Sequence, residues 1–448
     1  MSRRFLELIG VAAVIMAVVA LLKLAPVSVA GPTSLGSFVG VAEAAGGGAQ
    51  APTATGRAGA AAKAGPATKT SWGEPDLQGI WTNDYEVPLQ RSARYANREF
   101  FTDEERAELD RQRAGAIGRE ADESRRKRGS EQDVGGAYNA AIFTTHKHLG
   151  RRTSLIVDPP DGKIPPLTAE AQKKRAAIRA FQLALVQATD VCKNNLPGCV
   201  GGKYGPPSSR RAETPPYYLT VGPSGGPGGG GGGGVINRSD NPEDRSLGER
   251  CMAAVLPDFG GNTGFFLQIV QSPGTVSIFY DTGQGQGWQR IIPVTASPHL
   301  PSHVRQWWGD SRGRWEGDTL VVDVTNFSPK TYFQGSQENL HLVERWTRLD
   351  ANTVEYAVRI EDSTTWTRPW TVKLELNKQI DQANRIYKEP RCHEGNYGLP
   401  ALLVGARAEE RAFAEGRGPD PATQCTAGCG GFAAGFADDG EESNPLAR

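Results

Sequence analysis

The sequence predicts a mainly β protein, an antiparallel meander forming a curled sheet or β-barrel, with peripheral helices in the N-terminal half and one near the C-terminus. Two observations carry this. From about residue 265 to residue 378, short runs rich in Val, Ile, Trp, Tyr and Thr follow one another with no helical period between them. Turn signals also sit inside pairs of these runs, at Pro273-Gly274-Thr275, Gly317-Asp318 and Asp350-Ala351-Asn352. Meanders of this kind close into barrels or curl into sandwiches.

Residues 1–30 read as a secretory signal: Arg3 and Arg4, then the apolar run "LIGVAAVIMAVVALL", then a small-residue end at Ala30. Uncleaved, residues 8–25 would serve as an N-terminal anchor, since they almost reach spanning length. Residues 31–70, mostly Ala, Gly, Thr and Pro, read as a linker. Order is expected from "SWGEPDLQGIW", and residues 71–190 read as a helical and extended segment that wraps the sheet. Its first helix begins after Thr102, an N-cap followed by acidic residues. "RRTSLIVDPPDG" is a short strand stopped by prolines, and Thr168 caps a second helix. Residues 191–246 form a Gly/Pro-rich insertion, whose run "GGPGGGGGGG" has too much backbone entropy for regular structure. Residues 247–412 form the barrel-like domain, ending in the helix "ALLVGARAEERA", and 413–448 read as a disordered tail.

The 50 basic and 50 acidic residues cancel, so nothing in the charge balance points to nucleic acid or an anionic membrane. A membrane enters only through an uncleaved N-terminal segment. Export, to the periplasm or beyond, makes the six cysteines potential disulfide partners. Cys192 with Cys199, and Cys425 with Cys429, would close local loops. Elimination then proposes Cys251 with Cys392, among fifteen possible connectivities. No CxxC spacing supports a zinc cage, and no motif asks for a cofactor.

The segments "PDLQGIW", "GERCMA", "HLPSHVRQWWGDSRGRWEGDTLVVDVTNFS", "NLHLVERWTR", "DSTTWTRPWT" and "CHEGNYGLPALLVGARAEERA" occur here in one order. Together they resemble a large group of exported proteins of environmental bacteria. The resemblance covers most of 71–160 and 247–412. It implies export and a shared β-rich fold, and it carries no activity.

Four residues are candidates for acid–base chemistry: His299, His341, Glu344 and His393. His393 follows Cys392, but adjacent strand residues point to opposite faces, so the two do not make a dyad. On "NLHLVERWTR" the alternation puts His341, Val343, Arg345 and Thr347 on one side and Leu342, Glu344, Trp346 and Arg348 on the other. Either His341 or Glu344 faces a ligand cavity, or Glu344 or Glu355 forms an interior ion pair with an arginine. His299 and His303 have a helical metal spacing, which Pro298 and Pro301 argue against. Arg305, Trp307, Trp308 and Asp310 could wall an aromatic cleft, and Trp346, Trp366 and Trp370 add either core or a stacking surface.

These readings lead to an exported barrel that binds a small apolar, aromatic or sugar-like molecule. The alternatives are a lyase, isomerase or hydrolase on the same scaffold, and a structural envelope protein.

Overall fold

The computed structural model describes residues 68–83, 85–96, 98–125, 148–194, 204–213, 237–245, 250–252, 256–259, 266–283, 286–379 and 397–425. Residues 1–30, read as a signal, residues 31–67 of the stretch read as a linker, the glycine run, Cys199, Cys392, His393 and residues 426–448 lie outside them. Among the described residues no helix is long and apolar enough to cross a membrane, and no cysteine is free.

The predicted hairpins form. Strand β5 (Phe266–Ser272) turns into β6 (Thr275–Gly283) and then β7 (Gln286–Pro293); β8 (Asp310–Glu316) turns into β9 (Thr319–Thr325). Strands β10 (His341–Arg348), β11 (Thr353–Glu361) and β12 (Trp370–Lys378) complete a second meander. Gly274 and Gly317 hold φ of 74° and 61°, a left-handed conformation that glycine reaches without a Cβ penalty.

The two meanders are joined by a strand from the N-terminal segment. Strand β1 (Gly79–Thr82) pairs antiparallel with β5 on one side and β12 on the other. The result is a nine-strand, nearly closed antiparallel barrel of order β7-β6-β5-β1-β12-β11-β10-β9-β8. Trp81 is buried at this junction and its indole donates to the Leu77 carbonyl at 2.9 Å. The short strand β4 (Ile156–Asp158) pairs beside β12, while β2 (Tyr85–Glu86) and β3 (His148–Leu149) form a separate parallel pair.

Between the edge strands β7 and β8 the backbone pairing is a single parallel bridge, Val294 to Gly313, with the Thr295 amide donating to the Gly313 carbonyl at 3.0 Å. Gly313 permits this approach: a Cβ there would meet Ile292 Cγ2 at 3.1 Å.

Helix α1 (Asp103–Arg125) starts in a reciprocal cap. The Thr102 hydroxyl accepts from the Glu105 amide at 3.2 Å, and Glu105 accepts from the Thr102 amide at 3.0 Å. Helix α2 (Ala169–Val186) is capped by Thr168, α3 (Asp190–Lys193) follows, and α4 (Gly398–Ala414) lies near the C-terminus. Residues 237–245, inside the stretch read as a Gly/Pro-rich insertion, are ordered. Buried Arg238 donates to Asp244 at 3.0 and 2.7 Å, and Asp244 accepts from the Asp240 and Asn241 amides.

Candidate functional site

Strand alternation sorts the chemistry onto two faces. The inward register of β10 is Leu342, Glu344 and Trp346; that of β11 is Val354, Tyr356, Val358 and Ile360. On β7 the same side carries Arg290 and Ile292, opposite Ile278 and Val276 of β6. An arginine and a glutamate therefore meet among apolar walls.

Glu344 is wholly buried and Arg290 only 3% exposed. Arg290 Nη2 donates to Glu344 Oε2 at 2.7 Å, and its Nε and Nη2 donate to Ser311 Oγ at 3.0 and 2.9 Å. Its Nη1 donates to the Tyr280 hydroxyl at 3.3 Å, while the Tyr356 hydroxyl donates to Glu344 Oε1 at 2.8 Å. Burial works against the guanidinium charge, but the Glu344 carboxylate and Tyr280 more than offset it and raise the Arg290 pKa. Burial pushes both tyrosine hydroxyls up, so both keep their protons, Tyr356 donating and Tyr280 accepting. Through Ser311 the cluster also links β7 to β8 across the seam.

Aromatic rings fill the rest. Trp346 lies on Tyr356 with centroids 4.2 Å apart. Trp366 meets Trp370 edge-on at 5.5 Å, Phe333 stacks on Trp370 at 6.0 Å, and Phe259 meets Phe333 at 6.1 Å. Trp346, Trp366 and Trp370 are each at most 2% exposed, and their indole N–H groups have no acceptor among the described residues. Half-buried Trp308 and Trp315 share that condition.

The outer face carries the histidines. His299 Nδ1 faces Asp310 Oδ2 at 2.8 Å and its Nε2 faces Asp323 Oδ1 at 2.9 Å. His341 Nε2 lies 3.3 and 3.2 Å from the two Asp323 oxygens, and its Nδ1 lies 3.4 Å from Glu361. Arg312 binds Asp310 at 2.7 Å and Arg359 binds Glu361. The hydrogen bond to Asp323 raises the His341 pKa against the effect of burial. Asp323 is lowered, chiefly by that same bond, and Glu361 is lowered chiefly by Arg359.

The structure thus brings His299 and His341 together on Asp323 and places Glu344 behind them, inside the wall. Glu344 takes part in the interior ion pair. Arg305 braces backbone, donating to the Phe327 and Glu338 carbonyls at 3.2 and 2.7 Å. Trp307 is half-buried; Trp308 packs on the core and meets Trp288 edge-on at 6.4 Å. No group of three His, Cys, Asp or Glu side chains among the described residues is arranged to hold a metal.

Sequence reasoning missed Tyr280, Arg290, Ser311 and Tyr356 inside, and Asp323 and Glu361 outside. A signal existed for Arg290: in "GWQRIIPV" it shares a side with Trp288 and Ile292, so an apolar face carries one charge. Asp323 had none, because its partners come from a separate loop and strand.

No family model and no curated protein matches the chain. Among solved structures it is similar to a secretary abundant heat soluble (SAHS) protein from Ramazzottius varieornatus. The identity is 12% and the TM-score 0.20, over 27% of this chain and 75% of that one.

Proposed function

We propose that this protein is an exported barrel that holds one small apolar, aromatic or sugar-like molecule against its interior indoles. One observation carries the reading: the N–H groups of Trp346, Trp366 and Trp370, without an acceptor among the described residues, deep in a barrel where Arg290 and Glu344 neutralise each other. A buried donor without an acceptor costs about 1–3 kcal/mol, which a guest bearing oxygen would relieve. Aromatic faces supply the contact area, and the few polar groups fix orientation. Export is supported by the signal-like start and by the lack of a free cysteine among the described residues. Cys251–Cys392 and Cys192–Cys199 are the proposed disulfides.

The test is native mass spectrometry of the full exported protein, followed by solvent extraction. The expected result is one small molecule per chain, whose removal shifts tryptophan emission. Protein that carries no molecule, and whose emission stays fixed against a panel of aromatic and sugar probes, would leave the structural envelope reading in its place. The enzyme reading draws on a different feature, the solvent-reachable His299–Asp323–His341 group, and would have to work without Glu344, which points away from it.

A further inference from the structure

We propose that the outer-face histidines form a proton-operated latch on the barrel seam: protonated, His299 fastens the β7–β8 connection across Asp310 and Asp323, and deprotonated, it lets that connection loosen. The proposal stands apart from ligand binding and rests on geometry.

Both ring nitrogens of His299 face carboxylate oxygens within hydrogen-bond distance. A neutral imidazole has one N–H and one lone pair, so one of those contacts would set a lone pair against a carboxylate. Both are hydrogen bonds only when both nitrogens carry protons. The charged groups around it come from five places. The connecting loop contributes His299; β8 contributes Asp310 and Arg312, β9 Asp323, β10 His341, and β11 Glu361 and Arg359. Three carboxylates face two arginines. The remaining negative charge is shared by the two imidazoles, with the His341 pKa raised by Asp323, so the case for a charged His299 rests on its two carboxylate contacts.

The position gives this consequence. Val294 and Thr295 make the bridge to Gly313 that closes the barrel, and His299 is the next fixed point along the chain. Its neighbours add two contacts, the Leu300 amide to Asp310 at 3.0 Å and Arg312 to the Pro298 carbonyl at 3.2 Å. Both depend on where Asp310 and Arg312 sit. The far end of the loop is held without titratable groups. The Asn326 side chain donates to the Leu300 and Pro301 carbonyls, and the Gln306 amide donates to the Asn326 carbonyl. Losing the imidazolium therefore weakens the seam side of the loop, where only those two contacts are left beside Asp310, and leaves the other side anchored.

Hydrogen exchange on the full protein reads this directly. Between about pH 5 and about pH 9, a span bracketing ordinary histidine titration, protection corrected for intrinsic exchange should fall about tenfold at the Thr295 and Leu300 amides. The Gln306 amide and the β5–β6 ladder, which carries neither histidine, should not change. His299→Gln should show the loosened values throughout. Because that variant can fail to fold, imidazole 15N shifts of the wild-type protein provide the second measurement. Both His299 nitrogens should be protonated at the low end, and the ring should lose its proton over the same range in which Leu300 loses protection. A His299 ring that is already neutral at low pH, or Thr295 and Leu300 amides that follow the controls throughout, would overturn the latch.

Discussion

Glu344 is a carboxylate with no solvent and a fixed set of donors, so its worth depends on Arg290. Replacing Arg290 by Met strands a buried charge, and such half-broken pairs typically lose about 3–5 kcal/mol. Chemical denaturation should show that loss for Arg290→Met alone, and Arg290→Met with Glu344→Leu should regain most of it. A single and a double variant equally unstable would mean that the pair is not the interior's main electrostatic element. The outer histidine obeys a different rule. The fold raises the His341 pKa, so its stabilisation is complete below the ordinary value of about 6.5 and disappears as pH climbs through the raised one. Asp323 is lowered, so its share is present above about 3.9 and is lost as pH falls through the lowered value. The stability difference between wild type and His341→Asn should accordingly shrink towards zero on the alkaline side. Urea unfolding across the pH range checks it.

Among the elements, β1 holds the largest share of the architecture in the fewest residues. Trp81 is buried between the meanders, its indole bonded to Leu77 and its ring under the Arg348 guanidinium at 5.6 Å. Trp81→Ala should cost about 3–5 kcal/mol, as large-to-small core changes of this size do, and a thermal melt would register it. Thr168→Ala should cost about 1 kcal/mol through the lost α2 cap. At the seam, Gly313→Val would push its side chain into Ile292 and Leu320, so the Thr295 amide should lose protection first. Element by element, the sequence was readable where alternation ran long enough. Strands β5 to β12 and the caps at Thr102 and Thr168 follow from period and turn chemistry. Strand β1 did not, since "GIWT" has four residues and begins with glycine, leaving no alternation to read. Its pairing depends on two partners nearly 190 and 300 positions away in the chain.

At the scale of the molecule, the candidate site was half legible. Strand period put Glu344 and Trp346 on one side of β10 without fixing that side as the inner one, and an arginine partner for Glu344 was one of the two readings. Which arginine, and which carboxylate the histidines share, depended on how strands from opposite ends of the sheet meet when it curls. Periodicity within one strand has no information about that. The retained-molecule experiment belongs to this scale, because a guest held by Trp346, Trp366 and Trp370 would touch β10, β12 and the loop before β12 at once. Tryptophan emission should respond more to Trp346→Phe than to Trp307→Phe, as only the former lies inside.

The placement of β1 also bears on how the gene can be cut. A piece beginning near residue 247, where composition suggests a natural boundary, would carry eight strands of the wall but lack the one that joins them. Two raw backbone edges, on β5 and β12, would then face each other across a gap one strand wide. Such edges invite pairing with neighbouring copies. That fragment should therefore clump on expression and be rescued by supplying residues 68–83 as a separate peptide.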